Sequence, residues 1–177
     1  VKMINGVIFP PLFKVDNEKI VKRHIYAIAL SMYFSEHSDQ YNNNDAEKFI
    51  NQKGYKDFIN WLISKPPRLR DMIERSIPNI DNLHSRLGIQ EFGWLEAFCG
   101  PEGVFTLLLR EYENNIDQFQ ALIKRYTKEG DLDKANKCSW KLRNYTSNKL
   151  IDFLARGNIL PRYGFPVNTV ELEQNVT

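Results

Sequence analysis

The chain has 177 residues, of which 42% are hydrophobic and 12% aromatic, and its formal net charge is +2. This length predicts one folded domain with a single core, because two cores would be cramped in so short a chain. The small net charge argues against a surface built throughout for nucleic acid, and the longest apolar stretch, Ile25 to Phe34, is too short to span a membrane.

The first hundred residues are predicted to be an extended start, 1–15, followed by short helices over 16–100. Asp16 or Asn17 is a good N-cap for a first amphipathic helix that ends near His37. His24 lies in the apolar register of this helix, so we expect a hydrogen-bonded core histidine rather than a metal ligand or a base. Further short helices are separated by breaks at the asparagine-rich loop 38–44, Gly54, Pro66-Pro67 and Pro78, and Asp81 is a predicted cap.

The strongest periodicity lies within residues 101–156. Seven residues, here called the seam, follow one another at alternating steps of four and three: Phe105, Leu109, Tyr112, Ile116, Phe119, Ile123 and Tyr126. This heptad spacing predicts a long helix, and Glu129-Gly130-Asp131 is typical of a helix end followed by a cap. A second apolar register then predicts a long antiparallel helical hairpin, with arms of about 35 Å at 1.5 Å per residue. All seam residues are expected to be core positions.

Residues 157–177 are predicted to be a turn and an extended exit. Gly157 suits a left-handed residue just past a helix end, and Pro161 and Pro166 prevent the helix from continuing. A short strand is predicted at Val167 to Leu172, and Ile4 to Phe9 has comparable β character. The two stretches either pair with each other or belong to a sheet outside this chain. The fold class predicted is all-α, with six to eight helices, a long antiparallel hairpin and short extended termini.

Neither catalysis nor a cofactor is indicated by the motifs. The sequence has no phosphate-binding loop, no Asp-Glu-x-His or Asp-Glu-x-Asp box and no Ser-His-Asp or Cys-His pattern, so this chain is not expected to hydrolyse ATP. A small hydrolase is the weakest alternative. Cys99 and Cys138 lack paired spacing and have no histidine nearby, so no metal site is predicted. Two reduced, buried thiols in a cytoplasmic protein are the simplest interpretation.

Basic residues concentrate in the last predicted helix. From Lys134 to Arg162 there are seven lysines or arginines and one acidic residue, Asp152. Lys134, Lys137, Lys141, Asn144 and Asn148 fall on one stripe, which would suit contacts along a phosphate backbone. The alternative is that these lysines flank the seam and face the acidic residues of the other arm, Glu111, Glu113 and Asp117.

A second candidate for nucleic-acid binding follows this helix. Arg156 and Arg162 flank a turn stiffened by two prolines, and Tyr163 is placed to stack on an exposed base. The alternative is structural. Arg156 would cap the last helical carbonyls, and Tyr163 would pack with Phe165 against the base of the hairpin.

Two phrases of the sequence resemble large bacterial DEAD/DEAH-box helicases, including helicases of anti-phage defence islands. LARGNILPRYGFPVNTVEL, residues 154–172, resembles segments of the type ASRGVLPKYGFPVDVVEL, which lie between the second RecA-like motor lobe and a cysteine-rich C-terminal domain. PPLFKVDNEKIVKRHIYAIAL, residues 10–30, resembles the phrase that follows the motor, with Lys22-Arg23 in place of Arg-Arg. The resemblance covers residues 8–34 and 150–172, and the middle only in its helical character.

The resemblance implies a non-catalytic accessory domain of a DNA helicase, which braces the motor and helps to line the path of single-stranded or forked DNA. Its partners would be the motor and C-terminal domains of a parent chain, and ATP and Mg would belong to the motor. The chain opens on Val1 and is expected to be a piece of a longer protein. Lys22 and Arg23 would contact nucleic acid or hold the motor lobe. The competing class is a helical module that binds a partner protein or a second copy of itself.

Overall fold

The computed structural model describes residues 2–4, 7–9, 18–41, 47–147, 150–157 and 159–160. In these ranges the chain forms eight α-helices, which confirms the predicted all-α class and helix number. They are α1 Glu18–Glu36, α2 Tyr55–Ile63, α3 Pro67–Ser76, α4 Leu83–Leu87, α5 Leu95–Cys99, α6 Val104–Lys128, α7 Leu132–Thr146 and α8 Leu150–Arg156. A π-helical turn, Glu47–Asn51, lies between α1 and α2.

A two-stranded antiparallel hairpin precedes the helices. β1, Lys2–Ile4, pairs with β2, Val7–Phe9, and Ile4 lies opposite Val7. The extended stretch predicted from Ile4 to Phe9 is therefore two strands rather than one. Asn5-Gly6 separates them in the sequence, and this pair is the strongest short-range signal for a hairpin. The strand predicted from Val167 to Leu172 lies outside the described residues.

Helix α1 lies in the middle of the core. Its residues from His24 to Ser31 are all buried, so the helix is covered on every side by other elements. His24 is completely buried, as predicted for a core histidine. Burial lowers the pKa of His24 from 6.5 to about 4, because the charged imidazolium loses its hydration there.

Aromatic rings join α1, α2, α5 and the first turns of α6 within the core. The Phe58 ring lies 5.1 Å from Tyr33 and 6.1 Å from Phe105, in edge-on geometry in both cases. Phe105 and Phe98 are stacked, with centroids 5.1 Å apart and planes inclined by 4°. Such pairs add to the burial of a large apolar area. Because Phe105 lies in the first turn of α6, this part of the core lies at the end of α6 opposite the α6–α7 tip.

Helices α6 and α7 run antiparallel. At their tip, Gly130 has a φ of +79° and the Asp131 carboxylate accepts the Lys134 backbone N–H at 3.2 Å, as the predicted stop and cap require. Tyr126 faces Lys134 near the tip, where the Lys134 Nζ lies 5.6 Å from the ring centroid. Further down, the Asn115 side-chain amide donates to the Tyr145 hydroxyl at 2.9 Å.

The two arms differ in length, which the sequence did not indicate. α6 has 25 residues and α7 has 15, so they measure about 37 Å and about 22 Å at 1.5 Å per residue. The second arm ends at Thr146, where hydroxyl groups bond to carbonyls of its last turn. The Thr146 hydroxyl donates to the Leu142 carbonyl at 3.0 Å, and the Ser147 hydroxyl donates to the Asn144 carbonyl at 3.3 Å.

Three further local predictions are wrong. Gly157 is not left-handed, and an added Cβ there would lie 2.5 Å from the Leu108 Cδ2 atom, so glycine serves close packing at this position. Asp81 does not cap α4, because the Asn79 side chain accepts the His84 N–H at 3.1 Å. Both cysteines, Cys99 and Cys138, are half-buried rather than buried. Burial and the nearby Glu96 raise the pKa of the Cys99 thiol.

Candidate nucleic-acid interface

The lysine stripe, Lys134, Lys137 and Lys141, lies exposed on α7. Its spacing of three and four residues places the side chains on one face of the helix, as predicted. Asn144 continues the same face and is also exposed, whereas Asn148 lies outside the described residues. The structure therefore brings three predicted contacts together on one helix.

The lysine stripe does not pair with the acidic residues of α6. Within the described ranges, no ion pair joins these lysines to Glu111, Glu113 or Asp117, and Glu113 instead accepts the Tyr55 hydroxyl at 3.4 Å. Lys134 pairs at 3.5 Å with Asp131, the cap of its own helix. The cations of Lys137 and Lys141 enter none of the ion pairs found in these ranges.

The other predicted contacts lie elsewhere in the fold. Lys22 and Arg23 are half-buried on α1, and Arg156 is exposed at the end of α8. Arg156 borders a hollow of about 200 Å³ between α6 and α8, beside Leu108 and Gly157. Arg162 and Tyr163 lie outside the described residues, so the constellation predicted around that turn is placed only at Arg156.

One exposed aromatic residue on α7 is not among the contacts predicted from the sequence. Trp140 has a relative exposure of 62%. Its helix neighbours at three and four residues on either side are Asn136, Lys137, Arg143 and Asn144, all of them exposed. The sequence does carry a signal of its exposure, because Trp140 is an apolar residue outside the register of Ala135, Cys138, Leu142 and Tyr145.

A groove runs along the seam on one side of the α6–α7 pair. Its cavity of about 450 Å³ is bounded by the π-helical turn, α6 and α7, and its apolar lining includes Ile50, Ile116, Ile123 and Leu142. Asn51 ties the three elements together. Its side-chain oxygen accepts the Tyr112 hydroxyl at 2.5 Å, and its amide donates to the Thr146 carbonyl at 3.5 Å.

The groove shows that the seam is not core along its whole length. Phe105, Leu109 and Tyr112 are buried, whereas Ile116, Phe119, Ile123 and Tyr126 are half-buried. The prediction that all seven are core positions is therefore wrong for the last four. These four residues lie along the contact between α6 and α7, and a pair of helices leaves the flanks of its contact partly open to solvent.

The described residues contain no group of three or more His, Cys, Asp or Glu side chains arranged to hold a metal ion. Among the helices within those ranges, none has the length and apolar character needed to cross a membrane. No known protein family, curated protein or solved structure matches the chain. The resemblance to DEAD/DEAH-box helicases therefore stays a prediction from the two phrases that carry it.

Proposed function

We propose that this chain is a non-catalytic accessory domain of a DNA helicase and that α7 is the face it turns toward the DNA strand. The observation that carries the proposal is the lysine stripe, exposed and without ion pairs to α6 in the described residues. The helical core would brace the motor domains of the parent chain, which would bind ATP and Mg. Lys22, Arg23 and the turn around Arg156, Arg162 and Tyr163 remain further proposed contacts with DNA or with the motor.

The charge distribution supports a local rather than a global interface. A net charge of +2 gives little general attraction for DNA, so binding depends on where the cations stand. Lys134 to Lys141 spans seven residues, or about 10 Å along α7. A strand that follows this stripe would bring two or three phosphates close to lysines and release their counterions. We therefore expect weak binding that depends strongly on salt concentration.

Replacing both Lys137 and Lys141 by glutamine tests this face. The double variant should bind a single-stranded oligonucleotide more weakly at low salt. The slope of log K against log salt should become shallower by about 1.4, because each phosphate contact on a single strand contributes about 0.7. The measurement is fluorescence anisotropy titration at four or more salt concentrations.

A matched control removes the same charge elsewhere. Lys56 and Lys65 are exposed on α2 and just after it. Their double replacement by glutamine should leave the slope nearly unchanged if the stripe binds the strand. Equal losses in both double variants would mean that only net charge matters, and would refute a specific α7 interface.

The groove favours one competing function, a module that binds protein. Half-buried Ile116, Ile123 and Leu142 leave apolar surface uncovered, as expected where a partner helix or a second copy docks. Sedimentation velocity on the same samples separates the two functions. A dimer that persists at high salt, with no binding of the oligonucleotide at low salt, would support the protein-binding module and exclude the DNA-binding role of α7.

A further inference from the structure

We infer that Trp140 is a stacking platform for an unpaired base, so that the α7 surface binds single-stranded nucleic acid in preference to duplex. This inference rests on the proposed function, because it assigns the strand type to the helix that carries the lysine stripe. Two observations support it, namely the exposure and position of the indole and the chemistry of the side chains around it.

Most large apolar side chains among the described residues are buried or half-buried, but the indole of Trp140 is exposed. Trp94 is almost fully buried and Trp61 is half-buried, whereas Trp140 is 62% exposed. Trp140 lies in the middle of α7, a helix whose opposite face packs on α6 through the buried Ala135. A tryptophan held by such a helix has few rotatable bonds to restrict and presents a large flat surface to a ligand.

The surroundings of Trp140 select the class of ligand. Its four neighbours at helical spacing are two cations, Lys137 and Arg143, and two amides, Asn136 and Asn144. None of them is a carboxylate, and none is an aliphatic side chain. Hot spots for protein partners are normally surrounded by groups that exclude water. A cationic and amide ring around an indole instead suits a ligand that joins negative charge to a flat π face, as a nucleotide strand does.

The need for a free base face selects the strand type. In a duplex the faces of the bases are covered by their neighbours, and proteins reach only base edges in the grooves. An unpaired base exposes its face, and aromatic side chains can stack on it regardless of its identity. The indole of Trp140 should therefore discriminate between single and double strands, while the lysine stripe binds the phosphates of either.

The experiment compares a single-stranded oligonucleotide with the duplex of the same sequence. Trp140→Ala should weaken single-strand binding by about 5- to 150-fold, the range that base stacking supplies, and leave the salt slope unchanged because stacking is not ionic. Duplex binding should change little. Trp140→Phe should keep much of the single-strand affinity, since phenylalanine also stacks. In the wild type, tryptophan emission should be quenched by the single strand, and in Trp140→Phe this quenching should disappear.

Leu132 provides the matched control, because it lies on the same helix with the same relative exposure of 62%. Leu132→Ala should leave both affinities unchanged, and thermal melts should show that all variants are folded. If Trp140→Ala binds the single strand as tightly as the wild type does, the stacking role is overturned while the proposed DNA-binding face stands. Failure of the wild type to bind either strand at low salt would overturn the proposed function itself. A dimer lost in Trp140→Ala would make the indole a protein contact and overturn the inference.

Discussion

Replacing Phe105 by alanine should lower the free energy of unfolding by about 3–5 kcal/mol, the range for truncating a large aromatic residue in a core. Phe105 is fully buried. Its ring stacks on Phe98 at 5.1 Å and meets Phe58 edge-on at 6.1 Å, so truncation opens a cavity between rings that α2 and α5 hold in place. Urea denaturation followed by circular dichroism measures the loss.

Phe119→Ala is the matched comparison. Phe119 has the same residue type on the same helix and occupies an equivalent heptad position, but it is half-buried. Its ring lies 5.9 Å from Tyr145 and borders an open hollow of about 290 Å³. Truncation should therefore cost only about 1–2 kcal/mol, because less area leaves contact with protein. Equal losses in the two variants would contradict the structure and indicate that another surface covers the seam in solution.

The contrast between Phe105 and Phe119 shows what a heptad repeat can predict. The repeat gave the right helix and the right contact face, because both follow from local spacing. It did not predict how deeply each residue of the seam is buried. Phe105 is buried because Phe58 of α2, which is distant in the sequence, and Phe98 of the preceding helix α5 cover it, whereas in the described residues the ring beside Phe119 is that of Tyr145 on α7. The periodicity of α6 carries no information about which other helices cover its contact face.

The candidate site was likewise predictable from the sequence only in part. The shared face of Lys134, Lys137 and Lys141 follows from helical geometry and was predictable. Whether these lysines meet the acidic residues of α6 depends on the rotation of α7 about its own axis, which only tertiary packing fixes. Trp140 lies outside the apolar register that predicts the contact face of α7, and an apolar residue outside that register is itself a signal of an exposed site.

Stability should also fall as the pH drops from 6.5 to 4, and His24 is the cause that the structure identifies. Burial lowers the pKa of His24 to about 4 in the folded protein, from 6.5 for an accessible histidine. Above pH 6.5 the ring is neutral in both states and contributes no pH dependence. Between the two values the unfolded chain binds a proton that the folded protein does not, so protonation favours unfolding. At 1.36 kcal/mol per pH unit this amounts to about 3 kcal/mol.

The variant His24→Leu isolates this contribution from that of the carboxylates. Leucine fills a similar volume without a titratable group, so its free energy of unfolding should depend less on pH between 6.5 and 4. The difference between the two proteins should level off below pH 4, where the buried imidazole is protonated as well. Urea denaturation at half-unit pH steps measures both curves. Parallel curves for wild type and His24→Leu would show that the His24 ring gains its proton equally in the folded and unfolded states, and burial would then not control its charge.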